Sequence, residues 1–220
     1  MKYLKEFCVF ESKTNPLEDF KKKFGTTLDE KFTPTQVKLL EKAFSLFKKK
    51  FIKGKITKIK LEDLGGVHGR WTDDRKFMTL NPSIFNFTKK FKDNGFEVDY
   101  KLFVIVHEIG HCLDHIEGIS TSSDWKSISG WKKCPIDKKI PEGWKRYVEK
   151  RKGREKAGHK KSDWIHKEDA SFCRKYTSRN PREDFADCFA FGVFGAWDRF
   201  KGEGGKKKME IIKKILKKVD

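Results

Sequence analysis

The chain has 220 residues, 36% of them hydrophobic and 38% charged, enough for one sizeable core beneath a heavily charged surface. Its 20 Phe and 6 Trp exclude the composition of a disordered chain. The formal net charge of +19 favours an anionic partner or nucleic acid at the basic surface. The lysines are scattered, however, and no nucleic-acid module is recognised, so a lysine-biased codon usage explains the same balance.

Hydropathy and cysteine usage bear on the compartment. No apolar run approaches the roughly 18 residues of a membrane span, and the N-terminus lacks the apolar stretch of a signal peptide. Scattered cysteines without a CxxC pair favour reduced thiols. They are Cys8, Cys112, Cys134, Cys173 and Cys188. We therefore expect a soluble, cytoplasmic protein, and its composition is typical of a phage-encoded or virion-associated chain.

The first part of the chain is predicted to be helical over residues 1–54, although residues 1–32 are only weakly periodic. Thr33-Pro34-Thr35-Gln36 combines an N-cap, a first-turn proline and a glutamine at the third helical position, which is typical of a helix start. Apolar residues at helical spacing extend this helix to about Lys50. Alternating patterns then predict strands over 55–61 and 75–80, with a turn or short hairpin over 65–70.

The second part is predicted to be mostly helical. A helix over about 99–117 is apolar on all sides between Leu102 and Val106, which indicates burial. The Trp- and Lys-rich insert 118–166 is too long for an idle loop, so it is functional or contains short elements of its own. Asn180-Pro181 opens another helix to about Trp197. The tail 206–220 is a basic amphipathic helix that we expect to dock on the domain, the alternatives being a membrane surface or a partner.

The segment His107-Glu108-Ile109-Gly110-His111 lies inside the predicted helix 99–117. His107 and His111 are one turn apart and can bind one metal ion from the same face. Glu108 lies to one side, where it can take a proton from a water that the metal activates. Gly110 leaves room for another backbone or a substrate. A catalytic zinc site has three protein ligands and an open fourth position, so a third ligand is required.

Several residues near the motif are weaker candidates for that ligand. His115 continues the stripe of the two histidines, but it lies about 6 Å along the helix axis from a metal between them. A hydrogen bond at the helix end is the expected role of His115, and Asp114 is expected to support a ligand rather than to bind. Three further histidines in predicted loops are also weak candidates: His68, His159 and His166.

A pair of carboxylates downstream provides the best candidate. Glu183 and Asp187 are four residues apart on the helix that Asn180 opens, so one can bind zinc while the other orients a histidine ligand through its second ring nitrogen. Asn180 and Glu183 also have the spacing of a capping box, in which the Glu183 side chain would turn back to the helix start. The residues alone leave both interpretations open.

These motifs together resemble gluzincin metallopeptidases of the anthrax lethal factor and Pro-Pro endopeptidase type, and related bacterial and phage zinc peptidases. The shared features are HExxH, then a Tyr seven positions before a Glu in a Glu-x-Phe-Ala-acid segment. The resemblance implies that Glu183 is the third zinc ligand. It also implies that Tyr176 is a catalytic hydroxyl that stabilises the oxyanion or protonates the leaving amine.

Two departures qualify the resemblance, which covers about residues 66–198. Residue 184 is Asp where the toxin-type motif has Phe, and residue 187 is Asp where it has Glu. The insert 118–166 lengthens the spacing between His111 and Glu183. The implied fold is α+β: one zincin-like domain over 1–220, with a small mixed sheet, a buried active-site helix and a mostly helical C-terminal half.

The function expected from these residues is that of a zinc-dependent endopeptidase with one catalytic zinc ion. His107, His111 and Glu183 bind the metal, Glu108 is the general base, and Asp187 supports a ligand from behind. The substrate is a protein or peptide, which the strand at 76–80 could bind in extended form. The alternative is a zinc-containing, non-hydrolytic binding or virion-associated structural protein with a basic surface facing nucleic acid.

Overall fold

The computed structural model describes residues 15–93, 96–148 and 161–219, and over these ranges the chain has an α+β architecture. Seven α-helices accompany three small sheets of four, two and three strands within the described ranges. The α+β class expected from the sequence is therefore confirmed. The organisation of residues 1–220 as a single domain stays a prediction.

Three helices precede the first sheet: α1 (Pro16–Phe24), α2 (Pro34–Phe44) and α3 (Lys49–Ile52). α1 occupies a stretch where the sequence showed only weak periodicity. The Asn15 side chain caps it by accepting from the Leu17 backbone N–H at 3.1 Å. Phe20 of α1 packs edge-on against Phe44 with ring centroids 5.1 Å apart, an arrangement that contributes about 0.5–1.5 kcal/mol beyond area burial.

The helix predicted over residues 33–50 is shorter than expected. Its start is confirmed, because Thr33 and Gln36 form the reciprocal hydrogen bonds of a capping box. Its end at Phe44 contradicts the prediction of about Lys50. The chain turns there so that Phe47 enters the core and stacks on Phe189 of a later helix, 5.8 Å between centroids, and helical structure resumes only in α3.

A four-stranded sheet follows, made of β1 (Thr27–Leu28), β2 (Lys58–Leu61), β3 (Gly69–Thr72) and β4 (Phe77–Leu80). The strand order is β1-β2-β4-β3, with β4 parallel to β2 and antiparallel to β3. The turn predicted over 65–70 is thus partly wrong, because strand β3 begins at Gly69 and the hairpin turn lies between β3 and β4. The expectation that residues 76–80 form an edge strand able to pair with a substrate is also wrong. These residues form β4, which lies inside the sheet, and β3 forms the edge.

Two helices with mostly buried side chains pack against each other and carry much of the core. A β-hairpin, β5 (Lys90–Asp93) and β6 (Phe96–Asp99), leads into α4 (Tyr100–Glu117). The burial predicted from Leu102 to Val106 is confirmed, and in α4 it extends to Gly110. It packs against α6 (Pro181–Val193) so closely that a β-carbon at Gly110 would lie 3.1 Å from the Ala186 Cα. Gly110 therefore makes room for another backbone, one of the two roles that the sequence left open.

The insert 118–166 contains regular elements of its own where the structure describes it. These are α5 (Ser123–Ser129), β7 (Lys132–Lys133), β8 (Trp144–Val148) and β9 (Lys161–Lys167), the last continuing one residue beyond the predicted boundary. The three strands form a sheet of order β7-β9-β8. The insert is joined to α6 by a buried hydrogen bond, because Trp131 Nε1 donates to the Asp184 carboxylate of that helix at 3.2 Å.

The C-terminal helices differ from the prediction in their ends. α6 stops at Val193, not near Trp197, because the chain leaves the helix through Gly195 at φ 71°. α7 (Gly202–Val219) begins before residue 206. It packs against α6 so closely that a β-carbon at Gly192 would lie 2.4 Å from Ile212 Cγ2. The expected docking of the tail helix is therefore observed.

No helix in the described ranges is both long enough and apolar enough to cross a membrane. The cysteines within these ranges, at 112, 134, 173 and 188, are buried free thiols. Cys8 lies outside the described residues.

Candidate metal centre

Three side chains from two helices converge at one point beside the four-stranded sheet. His107 and His111 come from α4, and Glu183 comes from α6. Glu183 Oε2 lies 3.3 Å from His107 Nε2 and 3.6 Å from His111 Nε2. One ligand atom from each residue lies within 4.8 Å of the others, and no second group of three such donors occurs in the described ranges. The donor set predicted from the sequence is brought together.

The start of α6 explains why Glu183 points at the histidines. The Asn180 side chain accepts from the Glu183 backbone N–H at 3.0 Å, so asparagine caps the helix as predicted. The Glu183 carboxylate does not return to the helix start, and its Oε2 is buried without a hydrogen bond. Of the two hydrogen bonds of a capping box, only the one accepted by the Asn180 side chain is present. The Glu183 side chain is directed at the two imidazoles instead.

The electrostatics of the trio fit a bound cation. Burial would lower the pKa of His107, but the Asp187 and Glu183 carboxylates raise it to about 10. Burial would raise the pKa of Glu183, yet the two imidazoles hold it well below its usual range. The Glu183 Oε2 atom is buried without a hydrogen bond and faces one nitrogen of each ring, and the carboxylates around His107 favour positive charge at this point. Two nitrogens and one oxygen are the protein donors of a catalytic zinc site, so these residues fit the metal.

Asp187 and Arg174 support His107 from behind. Asp187 Oδ1 lies 2.7 Å from His107 Nδ1, which leaves Nε2 directed at Glu183. Arg174 donates to both oxygens of Asp187, through Nη2 at 2.7 Å and through Nε. Burial raises the pKa of Asp187, but Arg174 and His107 hold it below its usual value. The predicted position of Asp187 is observed, whereas the sequence analysis missed Arg174.

Glu108 lines the same cleft as His107, His111 and Glu183 but is not one of the three candidate metal ligands. Its side chain is buried and Oε2 has no hydrogen-bond partner. Burial raises the pKa of Glu108, against the opposing effect of His111 and His107. Strand β3 runs so close that a β-carbon at Gly69 would lie 2.6 Å from Glu108 Oε1. A carboxylate with a raised pKa beside a metal site can accept a proton at neutral pH.

Tyr176 lies on a 3-10 turn immediately before α6. It lines a cleft of about 370 Å³ together with His107, Glu108 and Glu183. Arg179 Nη1 donates to the Tyr176 hydroxyl oxygen at 3.1 Å. Burial raises the pKa of Tyr176, so the phenol keeps its proton and can donate a hydrogen bond into the cleft. The resemblance had pointed to Tyr176, but not to Arg179.

The residues beside the motif are not part of the trio. His115 Nδ1 lies 3.5 Å from Asp73 Oδ1, so it faces the hairpin turn and does not make the expected helix-end contact. Asp114 accepts from both the backbone N–H and the hydroxyl of Ser120, each at 2.6 Å. It therefore holds the end of α4 and the start of the insert, and the expectation that it supports a metal ligand is wrong.

Two further histidines of the described ranges, His68 and His166, also lie outside the trio. His68 packs edge-on against Phe87 with centroids 5.1 Å apart, and burial lowers its pKa. His166 Nδ1 lies 2.7 Å from the Lys167 carbonyl oxygen in the sheet of the insert. His159 lies outside the described residues.

Comparisons with protein-family models, with curated proteins and with solved structures gave no match.

Proposed function

We propose that the protein is a zinc-dependent endopeptidase of the gluzincin type with a zincin-like catalytic domain. The observation that carries the proposal is the buried, unsatisfied carboxylate oxygen of Glu183 facing His107 and His111. Glu108 and Tyr176 line the same cleft, which supplies a base and a hydrogen-bond donor beside the three ligands.

The proposed reaction is hydrolysis of a peptide bond. Bound through His107, His111 and Glu183, zinc supplies the Lewis acidity that activates water and polarises the scissile carbonyl. Glu108 accepts the proton from the attacking water and later delivers it to the leaving amine. The protonated Tyr176 hydroxyl donates to the oxygen on which negative charge develops. Asp187 holds the His107 ring in the orientation and tautomer that ligation requires.

The edge of the four-stranded sheet suits an extended substrate. β3 forms that edge, and its residues Gly69, Arg70 and Trp71 line the catalytic cleft. An unpaired strand edge can bind a peptide backbone through main-chain hydrogen bonds, which gives affinity independent of side chains. We therefore propose that the substrate binds along β3 and not along β4.

The retained base argues against a non-hydrolytic zinc protein. A structural zinc site is closed by a fourth protein ligand and has no use for a buried carboxylate without a hydrogen bond. Glu108 is 4% exposed, and its Oε2 is buried without a hydrogen bond. Nucleic acid or another anionic partner at the basic surface remains a separate proposal that rests on the net charge of +19.

Glu108→Gln tests the proposed function. The variant should bind one zinc ion per chain and lose roughly 10²–10⁴-fold in turnover of a peptide library, since general-base catalysis contributes about that much. Glu117→Gln makes the same chemical change at an exposed position of the same helix and should leave turnover unchanged. Undiminished cleavage by Glu108→Gln, or no cleavage by the zinc-loaded native chain, would contradict the proposal.

A further inference from the structure

A second cleft adjoins the one that contains the metal ligands. Its volume is about 550 Å³, and it shares Arg179, Asn180 and Arg182 with the catalytic cleft. These three residues lead into and begin α6, so they form a common boundary between the two spaces. A peptide that crosses this boundary can occupy both clefts at once.

The far wall of this second cleft comes from the insert. Ile136 lies in the segment between β7 and β8, and Trp164 lies on β9. Ile136 is 54% exposed, a high value for a large aliphatic side chain. Pro181, at the first turn of α6, adds a third apolar surface to the lining. The cleft thus presents apolar groups from two separate parts of the chain.

The polar groups of the wall are already bonded within the protein. The Ser120 hydroxyl donates to Asp114 at 2.6 Å, and the Asp163 carboxylate is paired with the Lys133 ammonium group. Thr121 Oγ1 donates to a backbone carbonyl at 2.9 Å. A polar ligand group would have to compete with these bonds, whereas an apolar side chain gains from leaving water.

The boundary residues are likewise engaged. Arg182 Nη2 donates to Asp73 at 2.8 Å, and Asn180 accepts from the Glu183 backbone N–H at 3.0 Å. These bonds hold the start of α6 in place between the clefts. The boundary is therefore a ridge whose Arg182 and Asn180 side chains are hydrogen-bonded within the protein, and the space beyond it is open to a side chain of the bound peptide.

We propose that this second cleft is a specificity subsite that takes one bulky aliphatic or aromatic side chain of the peptide substrate. The inference rests on the proposed peptidase function and adds the substrate class. It also gives the insert 118–166 a role, because Ile136 and Trp164 of the insert form the wall that faces the start of α6. A substrate with Phe or Leu at the matching position is bound by apolar contact with Ile136, Trp164 and Pro181.

A positional peptide series tests the subsite. Zinc-loaded native protein is given quenched fluorescent peptides with a polar background, in which a single Phe, Leu or Gly is moved along the positions flanking the scissile bond. We expect one position at which Phe or Leu raises kcat/KM at least about tenfold over Gly, the usual range for an apolar pocket. In Ile136→Ser, this Phe-to-Gly ratio should fall about tenfold, mainly through KM.

Ile116→Ser is the matched control, because Ile116 is also exposed, lies near the end of α4 and lines neither cleft. It should preserve the native preference. Cleavage by the native protein without any apolar preference would overturn the subsite and leave the peptidase function standing. If the ratio of kcat/KM for Phe over Gly is equal in Ile136→Ser and the native protein, the subsite is likewise overturned and the peptidase function still stands. Failure of the zinc-loaded native chain to cleave any peptide would instead overturn the proposed function.

Discussion

Gly69 lies against Glu108 so closely that a β-carbon at residue 69 would come within 2.6 Å of Oε1 and 2.7 Å of Cγ. The backbone of Gly69 is not in the left-handed region, so the glycine is required by space and not by conformation. It allows the edge strand β3 to run directly over the proposed base. The same strand is the one proposed to bind substrate, so Gly69 sets the distance between the base and the peptide.

Gly69→Ala should therefore displace the Glu108 carboxylate and lower kcat by about 10²-fold, the cost of a misplacement of roughly 1 Å. Zinc content should remain one ion per chain, because His107, His111 and Glu183 are untouched. Turnover and zinc stoichiometry measured on the same sample check this. Gly204→Ala is the control, since its nearest neighbour is Ile128 Cγ2 at an ordinary 3.4 Å. Native turnover in Gly69→Ala would show that Glu108 tolerates displacement or is not the base.

The local part of the site could be predicted from the sequence because its signals lie within single helices. The spacing of His107 and His111, and the cap at Asn180, depend on residues three or four positions apart. Whether the Glu183 side chain turns to the helix start or to the two histidines depends on the position of α4, which carries His107 and His111. That alternative could not be decided from α6 alone.

The missed residues depend on contacts between distant segments. Arg174 contacts Asp187 only because the chain folds back before α6, and nothing in its neighbours indicates a buried arginine. Gly69 did carry a signal, since an isolated glycine in a strand indicates a close approach by another group. That signal was missed because Gly69 falls within residues 65–70, for which the sequence predicts a turn or short hairpin. α1 had a signal as well, an Asn-Pro cap at residue 15, but its short apolar pattern was hidden by lysines.

Glu183→Gln should remove the charged ligand while keeping the shape of the side chain. Zinc affinity should fall by more than the roughly 100-fold that follows loss of an outer partner, because a direct ligand is changed. Competition with a chromophoric chelator measures the affinity. Glu117→Gln, exposed on α4, should bind zinc as the native protein does. Equal affinities in the two variants would mean that the third ligand is another residue.

Asp187→Asn should weaken zinc binding through His107 without removing a ligand. The carboxamide can still meet the His107 ring, but the negative charge between His107 and Arg174 is lost. We expect roughly 10–100-fold weaker zinc binding in the same competition assay. Asp124→Asn, an exposed site on α5, is the control. A native zinc affinity in Asp187→Asn would limit the role of Asp187 to holding Arg174.

Lys208→Met tests the contact that fastens the C-terminal helix. Lys208 is 1% exposed, and its Nζ lies 2.8 Å from the Asp184 carboxylate and 2.8 Å from the Ser171 carbonyl oxygen. Removing the cation leaves a buried carboxylate whose remaining side-chain donors in the described ranges are Trp131 and Cys188, so the free energy of unfolding should fall by about 3–5 kcal/mol. Equilibrium unfolding in urea measures the change.

The double variant Lys208→Met with Asp184→Asn distinguishes lost charge from lost packing. If the uncompensated carboxylate causes the loss, neutralising it should restore part of the stability, which a double-mutant cycle quantifies. Lys213→Met is the control, because Lys213 pairs with Glu210 on the exposed face of the same helix and such pairs contribute about 0–1 kcal/mol. Equal destabilisation by Lys208→Met and Lys213→Met would show that α7 is held by its apolar face, through Ile212, and not by the buried ion pair.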